Sequence, residues 1–197
     1  MGTLCINWSQ SPIFQQTGKG GSDLDADERC QLEQATLPHL DAAYNLARWL
    51  TKDEHAAEDA VQEAYYRAAR YFRSFRGGDG RAWFLSIVRR VSFDWLEKHR
   101  TQSAVLFNEE LHDLGDESSN PEFLMIRKYD EALVRQALEE LPPQLREVIA
   151  LRELEVLSYQ EIATVTEVPI GTVMSRLSRG RLQLQRRLVA CQDGELR

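Results

Sequence analysis

Helical periodicity over most of the chain is the feature that most restricts its fold. From Asp25 to about His99, and again from about Glu122 to Val189, apolar residues recur at the three- and four-residue spacing of one helix face. No segment of the sequence shows the alternation of a half-buried strand, and no internal repeat is visible. The sequence therefore predicts an all-α protein built from two small helical domains.

The segments outside these periodic stretches set the predicted domain boundaries. Residues 1–28 contain the run Gly18–Ser22 and are predicted to be a disordered N-terminal extension. Residues 101–121 are acidic and polar and end at Pro121, a composition typical of a flexible linker. We expect the domains to occupy residues 29–100 and 122–191, followed by a tail at 192–197.

Charge is distributed unevenly along the chain. The formal net charge is −7, which at first argues against a nucleic-acid partner. However, residues 67–100 hold nine basic and three acidic groups, and residues 164–191 hold five basic groups and one acidic group. Because salt screens charges beyond about 8–10 Å, a phosphate backbone responds to the local patch. Each domain is therefore predicted to carry a basic surface for DNA.

Composition excludes several other classes of protein. No run approaches the roughly 18 apolar residues of a membrane helix, and the first residues lack a signal-peptide pattern, so we expect a cytoplasmic protein. The three cysteines and four histidines are scattered, which argues against a metal site or disulfides. Because no catalytic constellation or phosphate-binding loop is present, we expect no enzyme activity and no cofactor.

The first candidate surface lies on a helix predicted between Asp59 and Phe75. One face of this segment is apolar, and the opposite face presents Gln62, Glu63 and Tyr66. The alternative is that this polar face is ordinary solvated surface.

A second helix, predicted from about Arg81 after the Gly77–Gly80 loop, has aromatic rings among arginines on the side away from its apolar stripe. Trp83 and Phe93 share this side with Arg90. Rings stack on unpaired bases while guanidinium groups hold phosphates, as capture of separated DNA strands requires. Alternatively, each ring packs on a neighbouring helix.

The second domain has the pattern of a helix-turn-helix. Ser158 and Glu161 form a capping-box sequence, a turn follows near Glu167, and Pro169 starts a longer helix. Polar and basic side chains of that helix are placed to enter a major groove. A helical hairpin with a basic solvated face is the alternative.

Longer strings of residues resemble one protein family. The runs Asp53–Ala68 and Arg81–Arg90 look like conserved region 2 of the extracytoplasmic-function (ECF) sigma factors, in the sigma-70 superfamily. The run Leu141–Arg179 is similar to sigma region 4. The two resemblances occur in the family's order.

The resemblance implies a division of labour between named residues. Docking on core RNA polymerase would use the exposed face of the first helix, and an anti-sigma factor is expected as a further partner. The residues concerned are Asp59, Gln62, Glu63 and Tyr66 for polymerase; Phe75, Arg76, Arg81, Trp83, Arg89, Arg90 and Phe93 for the minus-ten element; and Thr172, Ser175, Arg176, Ser178, Arg179 and Arg181 for the minus-thirty-five element.

Departures from the family pattern fall where promoter reading and positioning would occur. Glu167 stands where the turn usually has glycine, so we expect a mildly strained residue there with positive φ. Met174 stands where a basic residue is common, and Val91–Ser92 replaces a pair that often contains asparagine. The promoter sequence therefore does not follow from the resemblance.

Three rival functions remain open at this point. An ordinary helix-turn-helix regulator would bind duplex DNA without polymerase. A helical adaptor with incidental basic patches would show no salt-dependent DNA affinity. An RNA-processing enzyme has no catalytic constellation to support it.

Overall fold

The computed structural model describes residues 24–103 and 132–194, and every regular element in these two segments is helical. The first segment contains α1 (Ala26–Thr36), α2 (Leu40–Thr51), α3 (Glu54–Arg70) and α4 (Gly80–Ser103), with 3-10 turns at Leu37–His39 and Phe72–Ser74. The second contains α5 (132–139), α6 (Pro143–Ile149), a π-helical turn (Ala150–Leu154), α7 (Tyr159–Thr166) and α8 (Ile170–Gly194). The all-α prediction is confirmed.

The predicted ends of the domains differ slightly from the observed helices. Residues 26–28, predicted as extension, lie in α1, because Asp25 and Glu28 form a capping box that starts the helix at Ala26. Residues 101–103, predicted as linker, continue α4, and residues 192–194, predicted as tail, continue α8. The remainder of the predicted extension, linker and tail, apart from residues 24 and 25, lies outside the described residues.

Helix α3 is displaced from its predicted span. It begins after Asp53, whose carboxylate accepts a hydrogen bond from the Ala56 amide at 2.7 Å, and it ends at Arg70. The predicted continuation to Phe75 is wrong, since the chain tightens into a 3-10 turn at Phe72–Ser74. Phe72 still reaches the core from this turn, which explains why the apolar spacing persists beyond the helix.

The core of the N-terminal half is formed by α2, α3 and α4 packed on one another. Small side chains on the buried face of α3 let the other two helices approach closely. The fully or almost fully buried residues of this face are Ala57, Ala60, Val61, Ala64 and Ala68. Because this face of α3 packs in the core, the opposite face of the helix points to solvent.

The helix-turn-helix prediction is confirmed in the C-terminal half. Ser158 Oγ accepts a hydrogen bond from the Glu161 amide at 3.2 Å, while the Glu161 carboxylate accepts one from the Ser158 amide at 2.6 Å. Glu167 ends α7 in the left-handed region with φ 56°, as expected for a non-glycine residue at this turn. Ile162 and Leu177 lie buried between α7 and α8.

The two halves pack directly against each other. Helix α7 contacts α4, and α6 contacts α2, so that the buried apolar residues form one continuous cluster. The contact also holds charged groups: Arg146, 1% exposed, donates a hydrogen bond to the Leu50 carbonyl at the end of α2. This carbonyl belongs to the last turn, where no intrahelical donor is available.

Candidate polymerase and nucleic-acid interfaces

The predicted polymerase-docking side chains lie together on the outer face of α3. Asp59, Glu63 and Tyr66 are exposed, and Gln62 is partly exposed. Tyr66 is 49% exposed, which is unusual for an aromatic side chain on a helix with a packed inner face. Glu63 accepts a hydrogen bond from Arg67 at 2.7 Å, and Arg67 also reaches Asp94 of α4. This face is acidic, polar and open to solvent.

An aromatic cluster stands where α3 leads into α4. The Phe75 and Trp83 ring centroids lie 4.6 Å apart, and Phe72 contacts Trp83 edge-on at 6.1 Å. Trp83 and Phe75 pack against the core but are only partly buried, so each ring keeps some exposed surface. The cluster can serve as a rigid platform for an unstacked base.

The loop beside this platform carries Arg76, which is exposed. Gly77 and Gly78 follow with φ of 81° and 103°, a conformation that side chains other than glycine rarely adopt. The loop therefore turns sharply before α4 and keeps Arg76 outside the core.

Three arginines of α4 that were predicted to bind DNA contact carboxylates in the structure. Arg81 lies 3.0 Å from the Glu155 carboxylate, Arg89 lies 2.6 Å from Glu147, and Arg90 pairs with Glu167. Each of these carboxylates belongs to the C-terminal half. Arg89 also covers the partly buried Phe93 ring, with its guanidinium carbon 4.7 Å from the ring centroid.

The helix α8 presents most, though not all, of its predicted DNA residues to solvent. Thr172 is partly buried, and the exposed members are Ser175, Ser178, Arg179 and Arg181. Arg181 nevertheless pairs with Glu153 at 2.6 Å. Arg176 differs most, because its side chain is 16% exposed and reaches the Glu147 carboxylate at 3.2 Å.

Glu147 was not among the predicted site residues, yet it lies at the centre of these contacts. It is fully buried and receives Arg89 from one half and Arg176 from the other. Burial raises the pKa of its carboxyl, while hydrogen bonding from Arg89 and the charges of both arginines oppose that rise. Its burial results from the packing of the two halves against each other, which periodicity in the sequence does not reveal.

No group of histidine, cysteine, aspartate or glutamate suited to a metal ion occurs in residues 24–103 and 132–194. Within the same segments, no helix has the length and apolar character needed to cross a membrane.

Comparison with known proteins identifies the family of this chain. The sigma-70 region 2 family matches residues 37–102, and the sigma-70 region 4 family matches residues 131–184. The ECF RNA polymerase sigma factor SigE of Mycolicibacterium smegmatis is 30% identical over 88% of this chain and 68% of its own length. The RNA polymerase sigma-H factor of Pseudomonas aeruginosa is 36% identical over 69% of this chain and 75% of its own length.

A solved structure supports the same assignment. The sigma factor RpoE of Bartonella quintana, in complex with the anti-sigma factor NepR, aligns with a TM-score of 0.65 and 27% identity. The alignment covers 80% of this chain and 96% of that one. The two family matches and the fold thus define a transcription initiation factor of the sigma-70 superfamily. Within it, the chain belongs to the ECF sigma factors.

Proposed function

We propose that this protein is an alternative sigma factor in which three surfaces divide the work of promoter recognition. The outer face of α3 binds core RNA polymerase, the Phe75–Gly80 loop and α4 engage the minus-ten element, and α8 reads the minus-thirty-five element. The observation that carries the proposal is the separation of an exposed acidic helix face from two basic helices in one chain.

At the minus-ten element, the platform of Phe75 and Trp83 would receive an unstacked base while arginines hold the backbone. Taking a base out of the stack costs a few kcal/mol, and stacking of that base on an aromatic ring partly offsets this cost. Arg76 and the arginines of α4 supply the positive charge that keeps the separated strand in place.

At the minus-thirty-five element, exposed side chains of α8 would read base edges. Arg179 can donate two hydrogen bonds to a guanine, and Ser175 and Ser178 lie on the exposed side of the same helix. Neither half needs to bind promoter DNA tightly alone, since attachment of both to polymerase raises their effective concentration at the promoter.

The proposal includes no covalent chemistry and no cofactor. The protein acts in the cytoplasm, where polymerase and promoters are found, and an anti-sigma factor controls its access to polymerase. Support for this last part comes from the Bartonella quintana relative, which was crystallised with such a partner. Co-purification from the native host tests it; a consistently free monomer would contradict it.

Polymerase docking is tested by the pair Tyr66→Ala and Tyr71→Ala. Both tyrosines are exposed, at 49% and 57%, but only Tyr66 lies on the proposed docking face. Aromatic anchors commonly carry about 2 kcal/mol of binding, so we expect Tyr66→Ala to weaken core binding about thirtyfold. Equal affinities of the two variants for core polymerase would refute the assignment of this face.

Upstream recognition is tested by Arg179→Ala, because Arg179 is exposed on α8. The matched control is Arg186→Ala, which removes the same charge from an exposed position of the same helix without a proposed base contact. We expect only Arg179→Ala to reduce transcription that depends on the minus-thirty-five element, with core binding intact in both variants. Loss of core binding in Arg179→Ala would contradict the division of roles.

A further inference from the structure

Met174 is a large apolar side chain of α8, yet it is 53% exposed. It lies in the second turn of the helix, between Val173 and Leu177, which are buried at 0% and 2% exposure and mark the inner face. Met174 therefore points away from the core. The second helix of a helix-turn-helix contacts base edges with its N-terminal residues, and Met174 is one of them.

The surface around Met174 is open. Residues three and four positions apart are neighbours on a helix, and two such neighbours of Met174 are the exposed residues Gly171 and Ser178. A β-carbon at Gly171 would meet no atom within 4 Å. Ile170, a further neighbour, is apolar and 39% exposed. Met174 thus projects beyond two small residues, and a flat base edge can approach it without a clash from them.

Packing within the protein accounts for only part of the Met174 side chain. Together with Tyr159 and Leu182, it lines an open groove beside the start of α7. This contact explains why about half of the side chain is covered. The other half faces solvent, where an apolar group of this size gains nothing from its position.

The polar side chains next to Met174 are partly engaged within α8 itself. Ser175 Oγ donates a hydrogen bond to the Thr172 carbonyl at 2.9 Å, and Arg179 Nε donates one to the Ser175 carbonyl at 3.3 Å. The exposed guanidinium of Arg179 can still donate from its other nitrogens. Hydrogen bonding and apolar contact with bases therefore fall to different residues of the helix.

The chemistry of a thioether restricts what Met174 can recognise in a major groove. It donates no hydrogen bond and accepts one only weakly, so it cannot pair with the polar edge of guanine in the way that arginine does. Thymine presents a methyl group, at C5, in the major groove, and apolar side chains recognise it by contact. The unbranched, flexible chain of methionine adapts well to such a contact.

We propose that Met174 determines promoter specificity by contacting the C5-methyl group of a thymine in the minus-thirty-five element. The assignment rests on the proposed function, because it requires α8 to lie in the major groove of that element. A basic side chain at this position would favour guanine or a phosphate, whereas Met174 favours thymine. The departure from the family pattern at this residue is therefore a preference for a particular base.

The test removes the methyl group from the DNA and the side chain from the protein separately. Promoters recovered by run-off transcription with the wild-type protein are resynthesised with each thymine of the minus-thirty-five element, on either strand, replaced singly by deoxyuridine, which lacks only the methyl group. Run-off rates are measured with the full chain bound to core polymerase at a subsaturating concentration.

The variant is Met174→Ala, and the matched control is Leu182→Ala. Leu182 is 47% exposed and lines the same groove, but it lies about two turns further along α8. We expect the wild-type protein and Leu182→Ala to transcribe about fourfold faster from the thymine template at one position, the factor that burial of one methyl group produces. Met174→Ala should transcribe equally from both templates at that position.

The outcomes separate this inference from the proposed function. Equal rates of the wild-type protein on thymine and deoxyuridine templates at every position would overturn the inference, as would an undiminished ratio in Met174→Ala. A uniform loss of transcription in Met174→Ala with that ratio unchanged would also overturn it and assign the side chain to a protein contact. Absence of transcripts from the unmodified promoters with the wild-type protein would overturn the proposed function itself.

Discussion

Gly180 lies in the middle of α8, where glycine normally weakens a helix. A β-carbon at this position would lie 3.0 Å from Cγ1 and 3.3 Å from Cδ1 of Ile149, which is buried in α6. At Gly171, in the first turn of the same helix, a β-carbon would meet nothing within 4 Å. The substitutions Gly180→Ala and Gly171→Ala therefore test the helix crossing with identical chemistry.

Gly171→Ala is expected to be the more stable of the two variants. Replacing glycine with alanine inside a helix gains up to about 1 kcal/mol. Gly171→Ala keeps this gain, whereas at Gly180 overpacking against Ile149 costs about 1–3 kcal/mol. The free energies of unfolding should thus differ by about 1–3 kcal/mol, with Gly180→Ala the less stable variant.

The assay is urea denaturation followed by far-ultraviolet circular dichroism. Helicity is the appropriate signal because all four tryptophans precede residue 104, whereas α6 and α8 lie in the C-terminal half. An equal gain of stability in both variants would refute the reasoning, because it would show that α6 does not approach α8 at Gly180.

Three further predictions concern stability. Ser158→Ala removes one side of the capping box of α7 and should cost about 1 kcal/mol in the same assay, whereas unchanged stability would argue against the cap. Val156 is 76% exposed with φ 56°, a strained conformation for a β-branched residue, so Val156→Gly should stabilise the protein by about 1 kcal/mol; a loss would contradict the strain. Burial, and after it the charge of Arg81, lowers the pKa of His39. The neutral imidazole therefore stabilises the folded protein above pH 6.5, and this stabilisation is lost as the pH falls through the lowered pKa. His39→Asn should flatten this part of the pH profile of the denaturation midpoint, and an unchanged profile would exclude His39 as its cause.

Local features of the fold were predictable because their causes are local. The Ser158–Glu161 capping box and the left-handed Glu167 depend on residues a few positions apart, and both are confirmed. The end of α3 was not predictable in the same way, because Phe72 keeps the helical spacing after the helix has ended. Leu154 is apolar but 43% exposed, because the π-helical turn that follows α6 changes the helical register.

The contact between the halves could not be predicted from periodicity. A pattern identifies which face of a helix is buried but not which distant element covers it. Glu147 and Arg146 are charged residues that the sequence alone would place on a surface, yet the packing of α6 on the N-terminal half buries both. For the same reason, Arg89 and Arg176 were assigned to DNA without any indication that one carboxylate binds them together.

The central claim, that this chain directs core polymerase to specific promoters, is tested most directly by run-off transcription. Core RNA polymerase is combined with the purified protein on a promoter library, and the transcripts are sequenced. We predict discrete transcripts that start downstream of shared minus-ten and minus-thirty-five elements and that vanish when the protein is omitted. Absence of promoter-specific transcripts, together with absence of binding to core polymerase, would contradict the account.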